Sequence, residues 1–363
     1  MPHVPTPDSS AWRHERARAL PKVLLHEHLD GGLRVPTLLA LMQARGLLLP
    51  AAAGGTAEGL AAWFEANAHA GSLLKYLEGF GLTVAAMATP DALERVAFEA
   101  AEDALAEGAL LAEFRIAPLL FEAHGLTGEA AVEAMLAGLA RSPLPLQKRS
   151  GLIVCAMRHL PPAETERAAT LALRYAGQGV VGFDLAGPEF GYPASAHASA
   201  LQRVLDGGLA LTLHAGEADA APRVLEAARL GATRVGHGVR LADALGTALQ
   251  PLVDEVIARG LHLEVCPTSN VHTGAAASIA EHPITRLWQA GVSLSYHTDN
   301  RLMSCLTQAD EAAALLAHTP LTEADLVQMA LQAAAHSFLP AQARAEVAAD
   351  IRAQAAALGL VLA

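Results

Sequence analysis

Apolar residues recur along this chain in two rhythms. Over residues 35–45 they fall at helical spacing and stop at Gly46. Residues 60–67, 72–88 and 90–106 continue that pattern, with Thr89-Pro90-Asp91 as a helix start and Glu107-Gly108 as a helix stop. From Ala109 the rhythm changes to short apolar runs, each followed by a helical segment: 109–116, 152–157, 180–184, 209–214, 233–238, 261–266 and 292–297. Helices are expected at 128–139 and 163–175. One further strand precedes them all. Val23 and Leu24-Leu25-His26-Glu27-His28-Leu29-Asp30-Gly31 read as a strand running out into a glycine turn. Alternation along it puts His26, His28 and Asp30 on one face.

Counted with that first run there are eight strands, spaced by roughly thirty residues after the second. Strand and helix repeated eight times predict an α/β fold, a closed (β/α)8 TIM-type barrel. The long helical stretch after strand one is then an insertion, and helices over 305–363 cover the barrel's outside. An open doubly wound sheet is the competing architecture, but no glycine-rich phosphate fingerprint follows the first strand. Residues 1–20 read as a leader, with Pro2, Pro5, Pro7 and Asp8-Ser9-Ser10 before a short helix. Residues 21–363 read as one barrel domain without a linker.

Composition narrows the function. The chain has 363 residues, 52% hydrophobic and only 4% aromatic, so Ala, Leu and Val build the core. The net charge of −12, without basic runs, argues against nucleic acid or an anionic membrane as partner and disfavours a polyphosphate substrate. Cys155, Cys266 and Cys305 are far apart and include no C-x-x-C, which fits a reduced, cytoplasmic protein. The first twenty residues lack the layout of a signal peptide, and no apolar run reaches membrane-spanning length.

In such barrels chemistry sits at the carboxyl ends of the strands. The unusual polar residues fall there repeatedly: His26, His28 and Asp30 after strand one, Asp184 and Gly187 after strand four, His214 and Glu217 after strand five, His237 after strand six, Asp299 and Asn300 after strand eight. Each has a plain structural alternative. Asp299 could cap a helix, Glu217 could sit in a helix's first turn, and Asp184 with Gly187 could form a turn. His237 could be a packed histidine, although Gly236 and Gly238 beside it suggest close approach by another group. His214 at the end of an apolar strand is costly to bury without a partner. His159, His197, His297 and Glu27 are read as structural or supporting groups, and Cys155 and Cys266 as core residues. Taken together, three histidines and an aspartate converging on a barrel mouth fit a zinc-type site with a position left for water. A cation there lowers the pKa of that water from about 15.7 to near 7. Glu217, three residues from a ligand, is placed to shuttle a proton.

Six motifs carry a resemblance: residues 21–31 (PKVLLHEHLDG), 183–189 (FDLAGPE), 213–217 (LHAGE), 234–238 (RVGHG), 264–274 (EVCPTSNVHTG) and 298–304 (TDNRLMS). In order and spacing the sequence resembles the adenosine deaminase family of the amidohydrolase superfamily. The resemblance implies a (β/α)8 barrel, one zinc per chain and hydrolytic removal of the 6-amino group from a purine nucleoside. It makes His26, His28, His214 and Asp299 the metal ligands. Glu217 would protonate purine N1, His237 would orient and stabilise the attacking oxygen, and Asp299 would accept its proton. His28, Asp30, Gly187 and Asn300 would line the substrate, with Gly187 N–H on N3, Asn300 facing N7 and Asp30 on the ribose 5′-hydroxyl. Two positions depart from the common pattern. Asn300 stands where many members have a second aspartate, so it can donate to N7 but not act as acid or base. His297 stands where Asn is common. Within the resemblance the substrate could be adenosine, a 5′-extended nucleoside such as aminodeoxyfutalosine, or adenine; outside it, another amidohydrolase substrate such as a cyclic amide or ester. Asp30 would repel a 5′-phosphate.

Overall fold

Eight parallel strands pair in chain order: β1 (Lys22–His28), β2 (Ala109–Ile116), β3 (Ser150–Met157), β4 (Val180–Ala186), β5 (Ala210–Ala215), β6 (Arg234–His237), β7 (His262–Val265) and β8 (Leu294–Tyr296). The sheet closes on itself just past β8. There the His28 N–H donates to the Asp299 carbonyl at 2.8 Å and the Asp299 N–H to the His26 carbonyl at 3.0 Å. This computed structural model describes residues 10–69 and 73–362; residues 1–9 of the leader expected over 1–20 and the first residue of the helix expected at 72–88 lie outside that range, while Ser10–Ala19 forms the short helix expected after the leader's prolines. The expected barrel is present.

The insertion between β1 and β2 is helical, as the spacing predicts: Val35–Ala44, Ala57–Ala68, Leu73–Met87 and Pro90–Ala106. Thr89 caps the last of these by accepting the Ala92 N–H, with Pro90 next in sequence. Helices Gln308–His318, Glu323–His336 and Ala341–Ala357 complete the outside, the first two opened by capping boxes at Thr307/Asp310 and Thr322/Asp325. Outward-facing strand residues such as Val23, Leu25, Phe114, Val154 and Phe183 pack against this helical shell in one apolar core.

The inward face differs from the usual branched aliphatic filling. Arg115, Arg234, Glu113, Asp184 and Glu264 are all 0% exposed. Arg115 donates to Asp184 at 2.8 Å and to Glu264 at 2.6 Å; Arg234 donates to Glu264 and to Glu113, both at 2.6 Å. Residues from β2, β4, β6 and β7 thus meet across the barrel. Burial alone would raise the Glu264 carboxyl, but Arg115 and Arg234 hold it well below the usual range.

Two strand ends differ from expectation. β1 stops at His28, and Leu29–Gly31 is a 3-10 turn, so Asp30 is not on the strand face. β8 is only three residues long, because the backbone breaks beyond it, with Asp299 at φ +59°.

Candidate active site

The side chains singled out at strand ends converge at the carboxyl-terminal mouth of the barrel. His26 and His28 come from β1, His214 from β5 and Asp299 from the break after β8, and one donor atom from each lies within 4.8 Å of the others. His26 Nε2 and His28 Nε2 sit 3.3 and 3.6 Å from Asp299 Oδ1, and His28 Nε2 lies 3.3 Å from His214 Nε2. His26 Nε2 is buried and has no hydrogen-bond partner. The reason these lone pairs face one another lies behind the rings. His26 Nδ1 donates to Glu264 Oε2 at 2.9 Å, and His214 Nδ1 donates to Asp184 at 3.0–3.1 Å. Each carboxylate holds the ring proton on Nδ1 and leaves Nε2 as a donor atom for a cation. Burial pushes the His28 imidazole well below its ordinary value, beyond what Asp299 restores, which favours its neutral form. Asp299 gives Oδ2 to the Ser269 hydroxyl at 2.6 Å and keeps Oδ1 toward the histidines. This donor set of neutral imidazoles and one carboxylate oxygen fits zinc.

Beside these four, the structure brings Glu217 and His237 together, His237 Nε2 lying 3.6 Å from Glu217 Oε2. The Thr273 hydroxyl donates to Glu217 Oε1 at 3.0 Å. His237 holds φ +64°, a strained conformation for a side chain of its size, as does Asp299. Gly236 is required next to it: a Cβ there would come 2.8 Å from His26 Cε1, so the close approach expected from the flanking glycines is that of the His26 ring.

A cavity of 330 Å³ opens over this cluster. His28, Asp30, Gly187, His214, Glu217, His237, Asp299 and Asn300 line it, with Phe80, Leu120, Met157, Pro188 and Phe190 supplying apolar wall. Although it lies in the 3-10 turn, Asp30 still reaches the cavity; burial pushes its carboxyl up to about 7. Gly187 sits at φ +93°, where a Cβ would meet His159 Nδ1 at 3.1 Å. Gly31 lacks a side chain where Asn300 must sit, since a Cβ would fall 2.1 Å from Asn300 Oδ1.

Asp299 does not cap the short helix Arg301–Ser304, whose N-cap is Asn300. His197, between the Thr165 hydroxyl and the Arg158 carbonyl, is structural, and His297 accepts the Leu25 N–H inside the barrel. His159, read as structural, lines the cavity, as does Cys155. Glu27 points away, to Thr298 and Arg301. Asp184, singled out at the end of strand four, stands behind His214 rather than merely forming a turn. Other supporting residues were given no role of their own by the sequence: Glu264 behind His26, Ser269 behind Asp299, and Glu189. The Glu189 carboxylate accepts the backbone N–H groups of Gly216, Glu217, Ala218 and Asp219 at 2.6–3.0 Å, so it holds the turn that carries Glu217.

The model of the family described as adenosine deaminase matches residues 21–354. The adenosine deaminase of Mycobacterium ulcerans is 41% identical over 349 residues, covering 92% of this chain and 94% of that protein. That of Mycolicibacterium vanbaalenii is 42% identical over 338 residues, covering 90% and 92%. Among solved structures, a zinc-bound amidohydrolase from Burkhoderia ambifaria superposes with a TM-score of 0.82 at 23% identity, covering 98% of this chain and 96% of that one, a likeness of fold.

Proposed function

This chain belongs to the adenosine deaminase family, and from that premise we propose that His26, His28, His214 and Asp299 hold its zinc while Glu217, His237 and Asp299 manage the protons of the reaction. It is a zinc-dependent hydrolytic deaminase that converts adenosine and water to the 6-oxo nucleoside and ammonia. The zinc supplies an acidified water at neutral pH. Glu217, with Oε1 occupied by Thr273, has Oε2 free to give a proton to purine N1, which makes C6 electrophilic. His237 faces the same point and steadies the oxygen that adds to C6. Asp299, whose Oδ2 accepts the Ser269 hydroxyl, is the carboxylate placed to accept the water's proton. Gly187 N–H meets N3, the Asn300 amide donates to N7, and Asp30 takes the ribose 5′-hydroxyl, whose partner atom Oδ1 is buried and unbonded within the protein.

The convergence of the four ligand atoms within 4.8 Å, with Glu217 beside them, carries this reading. On the 5′ side, no Lys or Arg lines the cavity among the described residues, and Asp30 does. A phosphate would find no counter-charge, so the substrate is an unphosphorylated nucleoside. Three free cysteines support placement in the cytoplasm, and no helix among the described residues is long and apolar enough to cross a membrane. We take residues 21–363 as one catalytic domain. Mixing the protein with adenosine is expected to remove the adenosine absorbance band. An unchanged spectrum with adenosine and with a panel of 5′-modified analogues overturns the assignment.

A further inference from the structure

Behind His237 runs a line of hydrogen bonds whose direction can be read from one end. The Ile284 backbone N–H donates to His282 Nδ1 at 3.1 Å. A backbone amide can only donate, so this nitrogen is an acceptor and the His282 ring carries its proton on Nε2. His282 Nε2 lies 3.3 Å from Asn270 Oδ1. Turned the other way, the Asn270 amide would set N–H against N–H, so its oxygen must face His282. Its nitrogen then faces His237 Nδ1, at 3.1 Å. His237 Nδ1 is therefore an acceptor, and the proton of the neutral ring sits on Nε2, the atom 3.6 Å from Glu217 Oε2. His237, Asn270 and His282 are 1%, 0% and 3% exposed, so bulk water cannot substitute for any link.

We infer that Asn270 and His282 are positioning residues that set the tautomer of His237: the polarity fixed at the Ile284 N–H passes through both, so that His237 presents Nε2–H to the reacting centre. The consequence for rate rests on the deaminase reading above. A donor at that point stabilises oxygen adding to C6, whereas the opposite tautomer would aim a lone pair at it. His237 thus works as a hydrogen-bond donor, not as the base. Neither Asn270 nor His282 lines the cavity.

Two measurements test this. In the zinc enzyme labelled with 15N-histidine, long-range proton–nitrogen correlation reports the tautomer directly, His237 being assigned by its loss in His237→Asn. A proton on Nε2 is expected; a proton on Nδ1 overturns the inference. The second uses near-isosteric variants of His282. His282→Gln can still donate to Asn270 Oδ1, whereas the ionised carboxylate of His282→Glu can only accept, which turns the Asn270 amide around and moves the His237 proton to Nδ1; kcat is therefore compared at about pH 9 or above, past the range in which burial holds a carboxyl such as Glu311 protonated. Both lose the Ile284 contact, so a purely structural role affects them alike. Expected is a kcat within a few-fold of wild type for the Gln variant and lower by about 10²–10⁴ for the Glu variant, the size of a wrong-tautomer or proton-transfer defect, with KM and zinc content similar in both. Equal kcat values in the two variants overturn the inference. A protein inactive on adenosine whose His237 carries Nε2–H removes the deaminase reading and supports the relay.

Discussion

Glu189 accepts the N–H groups of Gly216, Glu217, Ala218 and Asp219 on its two oxygens, while Glu217 points its own carboxyl at the cavity. The two residues lie side by side in the site yet should fail differently. In Glu217→Gln the side chain keeps its shape and loses its proton, so turnover should fall by about 10²–10⁴ with zinc content and thermal stability retained. A variant with near-normal turnover removes Glu217 from the acid role. In Glu189→Gln one oxygen becomes an NH₂ facing N–H donors, leaving buried groups unsatisfied at a cost of about 1–3 kcal/mol. That variant should melt at lower temperature and turn over about tenfold or more slowly, because the turn under Glu217 loosens, with zinc still bound. Kinetics, metal analysis and a melting curve on each variant separate the two roles; an unchanged melting curve for Glu189→Gln would show that its carboxylate does not hold the turn.

The strands act as a rigid frame whose interior is charged. Arg115 on β2 is the only residue bonded to both carboxylates that orient ligand histidines, Asp184 and Glu264, among the described residues. Replacing it with Met leaves two buried carboxylates short of a partner, and breaking a buried pair in this way costs about 3–5 kcal/mol. Arg115→Met should therefore lose stability in denaturant titration on that scale; a loss below about 1 kcal/mol would mean the pairing is dispensable. A second buried carboxylate works in the opposite direction. Glu311, on the helix Gln308–His318, accepts the Thr268 N–H with Oε1 while Oε2 has no hydrogen-bond partner. Burial raises its carboxyl to about 8, so between pH 4.5 and 8 the folded chain holds a proton that the unfolded chain has released. This contribution to stability falls as pH rises through that window. Glu311→Gln should be more stable than wild type at pH 8 and lose that advantage below about pH 4.5; an advantage independent of pH would refute it. Element types were readable from spacing and boundaries less so. β1 ends two residues before Asp30, because local pairing with the segment around Asp299, set by distant closure of the barrel, decides where the strand stops.

At the scale of the whole molecule, the barrel and the residues at its mouth were legible because strand ends mark the site and histidines there have few other uses. The interior network was not. A single Glu or Arg inside an apolar run looks like a flaw in a strand, and its partner arrives from another strand: Arg115 meets Glu264 across 149 positions. Asn270 and His282 were equally hidden, since a tautomer relay has no spacing rule. The same closure ties metal to stability. The proposed ligands from β1, β5 and the segment after β8 bring their donor atoms within 4.8 Å of one another, with His28 Nε2 and His214 Nε2 only 3.3 Å apart and two ring protons committed to Glu264 and Asp184 on the far side. Such lone pairs repel unless a cation lies between them. Zinc should therefore stabilise the folded barrel by RT ln(1 + [Zn]/Kd), about 4 kcal/mol when free zinc is a thousandfold above Kd. Chelation should lower the melting temperature by several degrees and stop turnover, and added zinc should restore both. Glu217→Gln, which keeps every ligand, should show the same chelator-dependent drop. Asp299→Ala, which lacks one, should show a much smaller drop or none. An unchanged melting temperature in fully chelated wild type would show that these four residues do not share an ion.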